Sequence, residues 1–250
     1  MTRGMLVKRK IKMFETNSNW KNLYKISGWV AWILLAYSLV TMIILFVLGT
    51  PPTTAAETFR MLEENRLIGL LRLDLLTVLV YMPLFYLLFL GLYVALKKTH
   101  SVSAAIAVLL GFAGVTLFLA TPSVFSWLAL SDKFAVATGE AQKALLLAAG
   151  ETILVSDMWH GTGATIGSIL IQVATTLISI AMVSRNAFRK STAYVGIATH
   201  GLDLARLLLG FFFPSIGFGL LAIAGTLYLV WFPLLARDFF RLGRSDVSLE

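Results

Sequence analysis

The chain has 250 residues, of which 58% are hydrophobic and only 14% charged, against about 25% charged in ordinary soluble domains. That balance excludes a soluble enzyme and a disordered chain, and the long apolar runs indicate an integral membrane protein. There is no cysteine, which excludes disulfides and thiolate metal sites, and the net charge of +8 is informative through where the charges fall.

Residues 1–25 form a basic arm carrying Arg3, Lys8, Arg9, Lys10, Lys12, Lys21 and Lys25. The apolar run that follows, 26–49, exceeds the roughly 7–15 residues of a signal-peptide core. It ends at Pro51-Pro52 without a cleavage motif, so it reads as a retained first helix. A hydrocarbon core of about 30 Å needs about 20 apolar residues per helix. Six segments meet that length: 26–49, 67–96, 102–121, 163–183, 193–213 and 216–236. Pro83 should kink the second. The 122–162 connection is too long for a simple loop. Its stretch KALLLAAGETILVS at Lys143–Ser156 is too short and too interrupted by Glu151 to span. It reads as an interfacial or re-entrant helix capping the bundle.

Most of the 21 Lys and Arg lie in the arm, beside Lys97-Lys98, at Arg185, Arg189 and Lys190, and in the tail at Arg237, Arg241 and Arg244. The opposite side holds only Arg60, Arg66, Lys133 and Lys143. The positive-inside bias then predicts both termini in the cytoplasm. The expected fold is an all-α, six-helix membrane bundle over 26–236, with an outer helical cap at 122–162 and a cytoplasmic tail at 237–250. Trp29, Trp32 and Trp231 are expected near the inner interface, Trp127 and Trp159 near the outer one. Gly163 and Gly167, with Gly111, Gly114, Gly217, Gly219 and Gly225, suit close helix packing.

The second helix ends MPLFYLLFLGLYVALKKT, the outer segment reads LSDKFAVATGEAQKALLLAAGE, a later stretch reads MVSRNAFRKSTAYVGI, and the last helix ends LYLVWFPLLARDFFRL. Together these resemble the bacterial membrane proteins of the domain of unknown function 4386 family, over roughly residues 26–244. The resemblance implies a multi-helix bacterial membrane protein of unassigned activity and supplies no catalytic residues.

Charges inside a spanning segment cost roughly 2.5–3.5 kcal/mol each unless paired or wet, which makes them the strongest pointers to a site. His200, Asp203 and Arg206 fall three apart on the fifth segment, and Arg72 and Asp74 lie on the second. By helical rise, Arg206 and Asp74 each sit roughly 10 Å below the outer boundary. Asp74 is therefore expected to pair with Arg206, while Arg72 snorkels to outer headgroups. Glu151, Asp157 and His160 would form the outer rim.

The bland reading of the cluster is a structural ion pair. The functional reading is a polar pocket between the second and fifth helices that binds a lipid, an apolar small molecule, or a partner protein or second copy. Two alternatives are a transporter with a His200–Asp203 relay and an intramembrane zinc hydrolase. Against the latter there is no H-E-x-x-H and the three histidines are scattered, so no metal or cofactor is expected and the balance leans away from an enzyme. Gly161–Gly167 (GTGATIG) lacks the preceding strand of a nucleotide loop. The basic arm should attract anionic lipid; it has no nucleic-acid-binding fold behind it.

Overall fold

A computed structural model describes residues 2–184 and 187–244, with side chains from Trp20 onward. The side chains of the arm cations Arg3, Lys8, Arg9, Lys10 and Lys12, together with Arg185 and residues 245–250 of the tail, lie outside that description. Every regular element among the described residues is helical. Helix α1 runs unbroken over Thr2–Leu48, so the expected boundary at residue 25 falls within a helix. It stops where Gly49 adopts φ +79°, a left-handed cap that glycine enters without a Cβ clash. Pro51-Pro52 then forbids continuation.

Two short helices follow, α2 (Ala55–Glu64) and α3 (Arg66–Arg72). The predicted second span does not start at residue 67. Asp74 sits at φ +61°, the one non-glycine residue with positive φ among the described residues. An Asp tolerates that conformation better than most side chains, and it ends α3. The Asp74 carbonyl then accepts from the N–H groups of Thr77 and Val78, restarting the helix in a new direction. The Thr77–Tyr81 turn is π-helical and leads into α4 (Met82–Leu96). Pro83 lies at the start of α4. Its ring would clash with the carbonyl four residues earlier, and the wide turn absorbs that clash. The expected kink is thus present as a π turn.

The remaining helices are α5 (Ser101–Leu119), α6 (Val124–Ala135), α7 (Glu140–Ser156), α8 (Thr162–Val183), α9 (Lys190–Gly210) and α10 (Pro214–Arg244). Part of the expected tail is therefore helical, continuing α10 past Ala236.

Packing order closes a ring: α1 against α4, α4 against α5, α5 against α8, α8 against α9, α9 against α10, and α10 back against α1. Its interior is filled by Leu34, Phe85, Leu88, Phe89, Leu92, Ile178, Met182, Trp231, Phe232 and Phe239, all essentially inaccessible. Trp231, expected at the inner interface, is one of these buried residues. The outside is also apolar: Phe46 is 92% exposed, and Leu109, Val102 and Phe218 are exposed as well. An apolar exterior on this scale is solvated by hydrocarbon rather than water. Five stretches are helical, long and apolar enough to cross a membrane: Trp20–Leu48, Thr77–Leu96, Ser101–Ala135, Thr162–Val183 and Pro214–Arg244. The molecule is a multi-pass helical membrane protein.

Close approach explains several of the glycines. A Cβ on Gly114 would come within 2.6 Å of the Gly167 carbonyl oxygen, and one on Gly167 within 2.6 Å of that of Gly114. This backbone contact joins α5 to α8, as the small-residue spacing predicted. Gly111 makes room for Phe89, whereas Gly219 and Gly225 face open space.

Helices α2, α6 and α7 pack on one another around a separate small core of Ala55, Phe59, Leu62 and Trp127. The basic connections gather at the other end. Lys97 stands 4.0 Å over the Trp20 ring, His100 hydrogen-bonds Ser184 at 2.7 Å, Arg241 donates to the Ala187 carbonyl, and Gly243 packs against Lys25.

Candidate functional site

Helix α9 sets Thr192, Gly196, Thr199, His200, Asp203 and Arg206 along one slowly turning face at helical spacing. That face turns inward: Thr192, Thr199 and His200 are wholly buried and Asp203 nearly so. Its packing partners are α8 and α10. The cluster is thus shared among α8, α9 and α10, not between the second and fifth spans as the sequence suggested.

Arg206 Nε donates to Asp203 Oδ1 at 2.6 Å. The expected Asp74–Arg206 pair is not formed, because a three-residue step along one helix already supplies Arg206 with a carboxylate. The other Asp203 oxygen accepts from Gln172 Nε2 at 2.7 Å and from the Tyr228 hydroxyl at 3.0 Å. With its NH2 committed to a carboxylate, Gln172 turns its carbonyl oxygen to His200 Nδ1, 2.7 Å away. A carbonyl only accepts, so Nδ1 carries the imidazole proton and Nε2 presents a lone pair.

His200 Nε2 is buried without a hydrogen-bond partner, as are Trp231 Nε1 and Ser179 Oγ. The His200 and Trp231 rings meet edge to face, with centroids 4.5 Å apart. Ser179 Oγ and Trp231 Nε1 both border Gly196, where a Cβ would stand 2.5 and 2.6 Å from them. Buried polar groups nearly always have a partner, protein or water. Ser179 Oγ and Trp231 Nε1 are packed too closely on Gly196 to admit even a methyl group, and both stay unsatisfied in the packed interior.

Toward the basic end, the next polar residue of the face is Thr192, whose hydroxyl donates to Asp238 Oδ2 at 2.6 Å. The same oxygen accepts from the Arg189 backbone N–H at 2.9 Å. Asp238 is fully buried and anchors the start of α9 to α10.

The other predicted residues divide between two places. Asp74 accepts from Trp159 Nε1 at 2.8 Å and from Thr77 Oγ1 at 3.4 Å, and Thr77 meets the Tyr37 hydroxyl at 2.5 Å. Burial pushes the Asp74 carboxyl up to about 6. The Arg72 guanidinium donates to the Thr50 carbonyl just past the end of α1. Glu151 Oε1 accepts from the Ala55 N–H at 2.8 Å and so caps α2 from α7. Asp157 Oδ1 accepts from the backbone N–H groups of Trp159 and His160 and lies 2.9 Å from His160 Nδ1. The expected rim is thus a set of local caps and turns. Among the described residues no three His, Cys, Asp or Glu side chains converge as metal ligands, so a zinc hydrolase has no ligand set there.

Gln172, Ser179, Tyr228 and Asp238 are not singled out by the sequence, and Trp231 is marked there only as an interfacial ring. An amide within the apolar run ILIQVA of α8 is the signal that could have found Gln172. No family model, no curated protein and no solved structure matches the chain.

Proposed function

We propose that the protein is a six-span transporter of a bacterial inner membrane, with both termini cytoplasmic, and that it moves protons, or a small solute together with protons, along the buried face of α9. At 21 residues, α9 is about 31 Å long, matching the hydrocarbon thickness. His200, Asp203 and Arg206 make it less apolar than the five stretches named above. The gathering of the basic connections at one end supports the orientation, and the three-helix group α2, α6 and α7 would cap the outer end.

The observation that carries this reading is the hydrogen-bonded chain from partly exposed Arg206 through Asp203, Gln172 and Tyr228 to His200 Nδ1, with Nε2 bare on the far side of the ring. A proton arriving at Nε2 makes an imidazolium whose charge Asp203 offsets through one intervening amide. Ser179 of α8, beside Gly196, and then Thr192 with Asp238 would carry the polar line on toward the basic end. The lipid-pocket reading is less well supported, because the protein's own side chains fill the cluster. The rival with a specific observation behind it is a purely structural network, favoured by the satisfied Asp203–Arg206 pair.

Reconstitution into liposomes loaded with a pH-sensitive dye tests the proposal. Under an imposed potential the wild type should acidify or alkalinise the lumen, and Asp203→Asn should abolish this while the melting temperature stays within a few degrees. Equal flux in the variant, or wild-type flux no greater than in protein-free liposomes, would refute it.

A further inference from the structure

Where α1, α10 and the turn before α9 meet, an open pocket of about 560 Å³ is lined by Arg189, Arg237, Arg241, Arg244, Trp32 and Phe240. Among the described residues a single carboxylate, Asp238, lies behind the arginines. Three of the guanidiniums approach its Oδ1 at 3.8 Å each, too far for hydrogen bonds, and that oxygen accepts none. Its other oxygen is used by the Arg189 backbone N–H and Thr192. One buried anion therefore faces a cluster of cations with a large positive excess. Guanidinium forks match phosphate oxygens in pairs, so the chemistry selected is a phosphate ester or a free phosphate.

The walls decide between these sources. Trp32 belongs to the apolar stretch Trp20–Leu48, and Phe240 to Pro214–Arg244. Trp32 and Ile33 are each more than 40% exposed on the outer surface of α1. The pocket thus opens at the basic end of the bundle between two membrane-spanning helices, with apolar surface leading away from it. We propose that it binds the phosphodiester headgroup of an anionic phospholipid, with the acyl chains lying along α1 and α10. Basic pockets between spanning helices on the positively charged side suit such headgroups.

The test uses the full chain in nanodiscs or mild detergent, with native mass spectrometry reading retained phosphatidylglycerol against phosphatidylcholine. Wild type should retain the anionic lipid at least tenfold better. Arg237→Gln/Arg244→Gln should lower its affinity roughly thirtyfold, with an unchanged melting temperature because Arg189 and Arg241 still hold Asp238 and the Ala187 carbonyl. If that pair fails to fold, Arg244→Gln alone, at the end of α10, should still lose several-fold. Equal retention of the two lipids, or unaltered binding in the folded variants, would overturn the assignment. Displacement of the lipid by millimolar inorganic phosphate would assign the site to a soluble phosphate and overturn the lipid source.

Discussion

Replacing Gln172 by Leu probes the buried network most directly. The amide donates to Asp203 at 2.7 Å and lies 2.7 Å from His200 Nδ1, with Tyr228 within 3.2 Å of both its polar atoms. Losing a hydrogen bond to a charged group costs about 1.5–3 kcal/mol, and stranding a buried imidazole N–H about 1–3 kcal/mol more. The Tyr228 hydroxyl, 3.0 Å from Asp203 and 3.3 Å from His200 Nδ1, can replace one of the two lost contacts. Side-chain hydrogen bonds between membrane helices also average only about 0.6 kcal/mol. The expected net loss is therefore about 2–3 kcal/mol in denaturant unfolding from mixed micelles. His200→Leu in the same background removes the stranded donor, so the double variant should lose about 1–2 kcal/mol less than the sum of the singles. Strict additivity, or a Gln172→Leu loss under about 0.5 kcal/mol, would mean that the network carries no coupled energy.

Three further outcomes follow from the geometry. Gly114→Ala should cost about 1–3 kcal/mol because its Cβ meets the Gly167 carbonyl, whereas Gly219→Ala, facing open space, should stay within about 0.5 kcal/mol in thermal unfolding. Asp238→Ala should cost about 3–5 kcal/mol, since it leaves the Arg189 N–H, the Thr192 hydroxyl and the surrounding guanidiniums without their carboxylate; a loss under about 1 kcal/mol would show that α9 is anchored otherwise. The Asp74 carboxyl, raised by burial to about 6, holds its proton more tightly folded than unfolded. Its contribution is full below about pH 4 and lost as pH rises through about 6, so the melting temperature should fall between pH 4 and pH 7, and Asp74→Asn should flatten that fall.

Much of this architecture was legible because hydrocarbon imposes a coarse rule: a run of about 20 apolar residues must be a helix. The spans at 102–121 and 163–183 agree with α5 and α8 to within two residues. Pro83 announced its distortion through a steric clash independent of fold. Pairing was not legible. Depth along a helix follows from counting residues, but rotation about its axis follows from neighbours, so Asp74 and Arg206 shared a depth without sharing a partner. The left-handed turn at Asp74 left no trace in hydropathy, since apolar residues flank it on both sides. Trp231 reads as interfacial because it lies near the end of the 216–236 run, where amphipathic rings concentrate, and depth alone does not tell a lipid-facing ring from one that packs into the bundle.

Helix α9 shows where hydropathy and topology part company. A span is stabilised by its whole environment, and a helix that exposes little of one face need not be apolar on that face. The short connections at residues 184–189 and 211–213 hold α9 against α8 and α10, whose Gln172 and Tyr228 accept and donate where lipid could not. Thr192, His200 and Asp203 can then lie in the membrane at a cost set by hydrogen-bond geometry rather than by transfer to hydrocarbon. The same closure has a cost: His200 Nε2, Trp231 Nε1 and Ser179 Oγ are cut off from water without a protein partner, and each such group weakens the packing that the satisfied bonds provide.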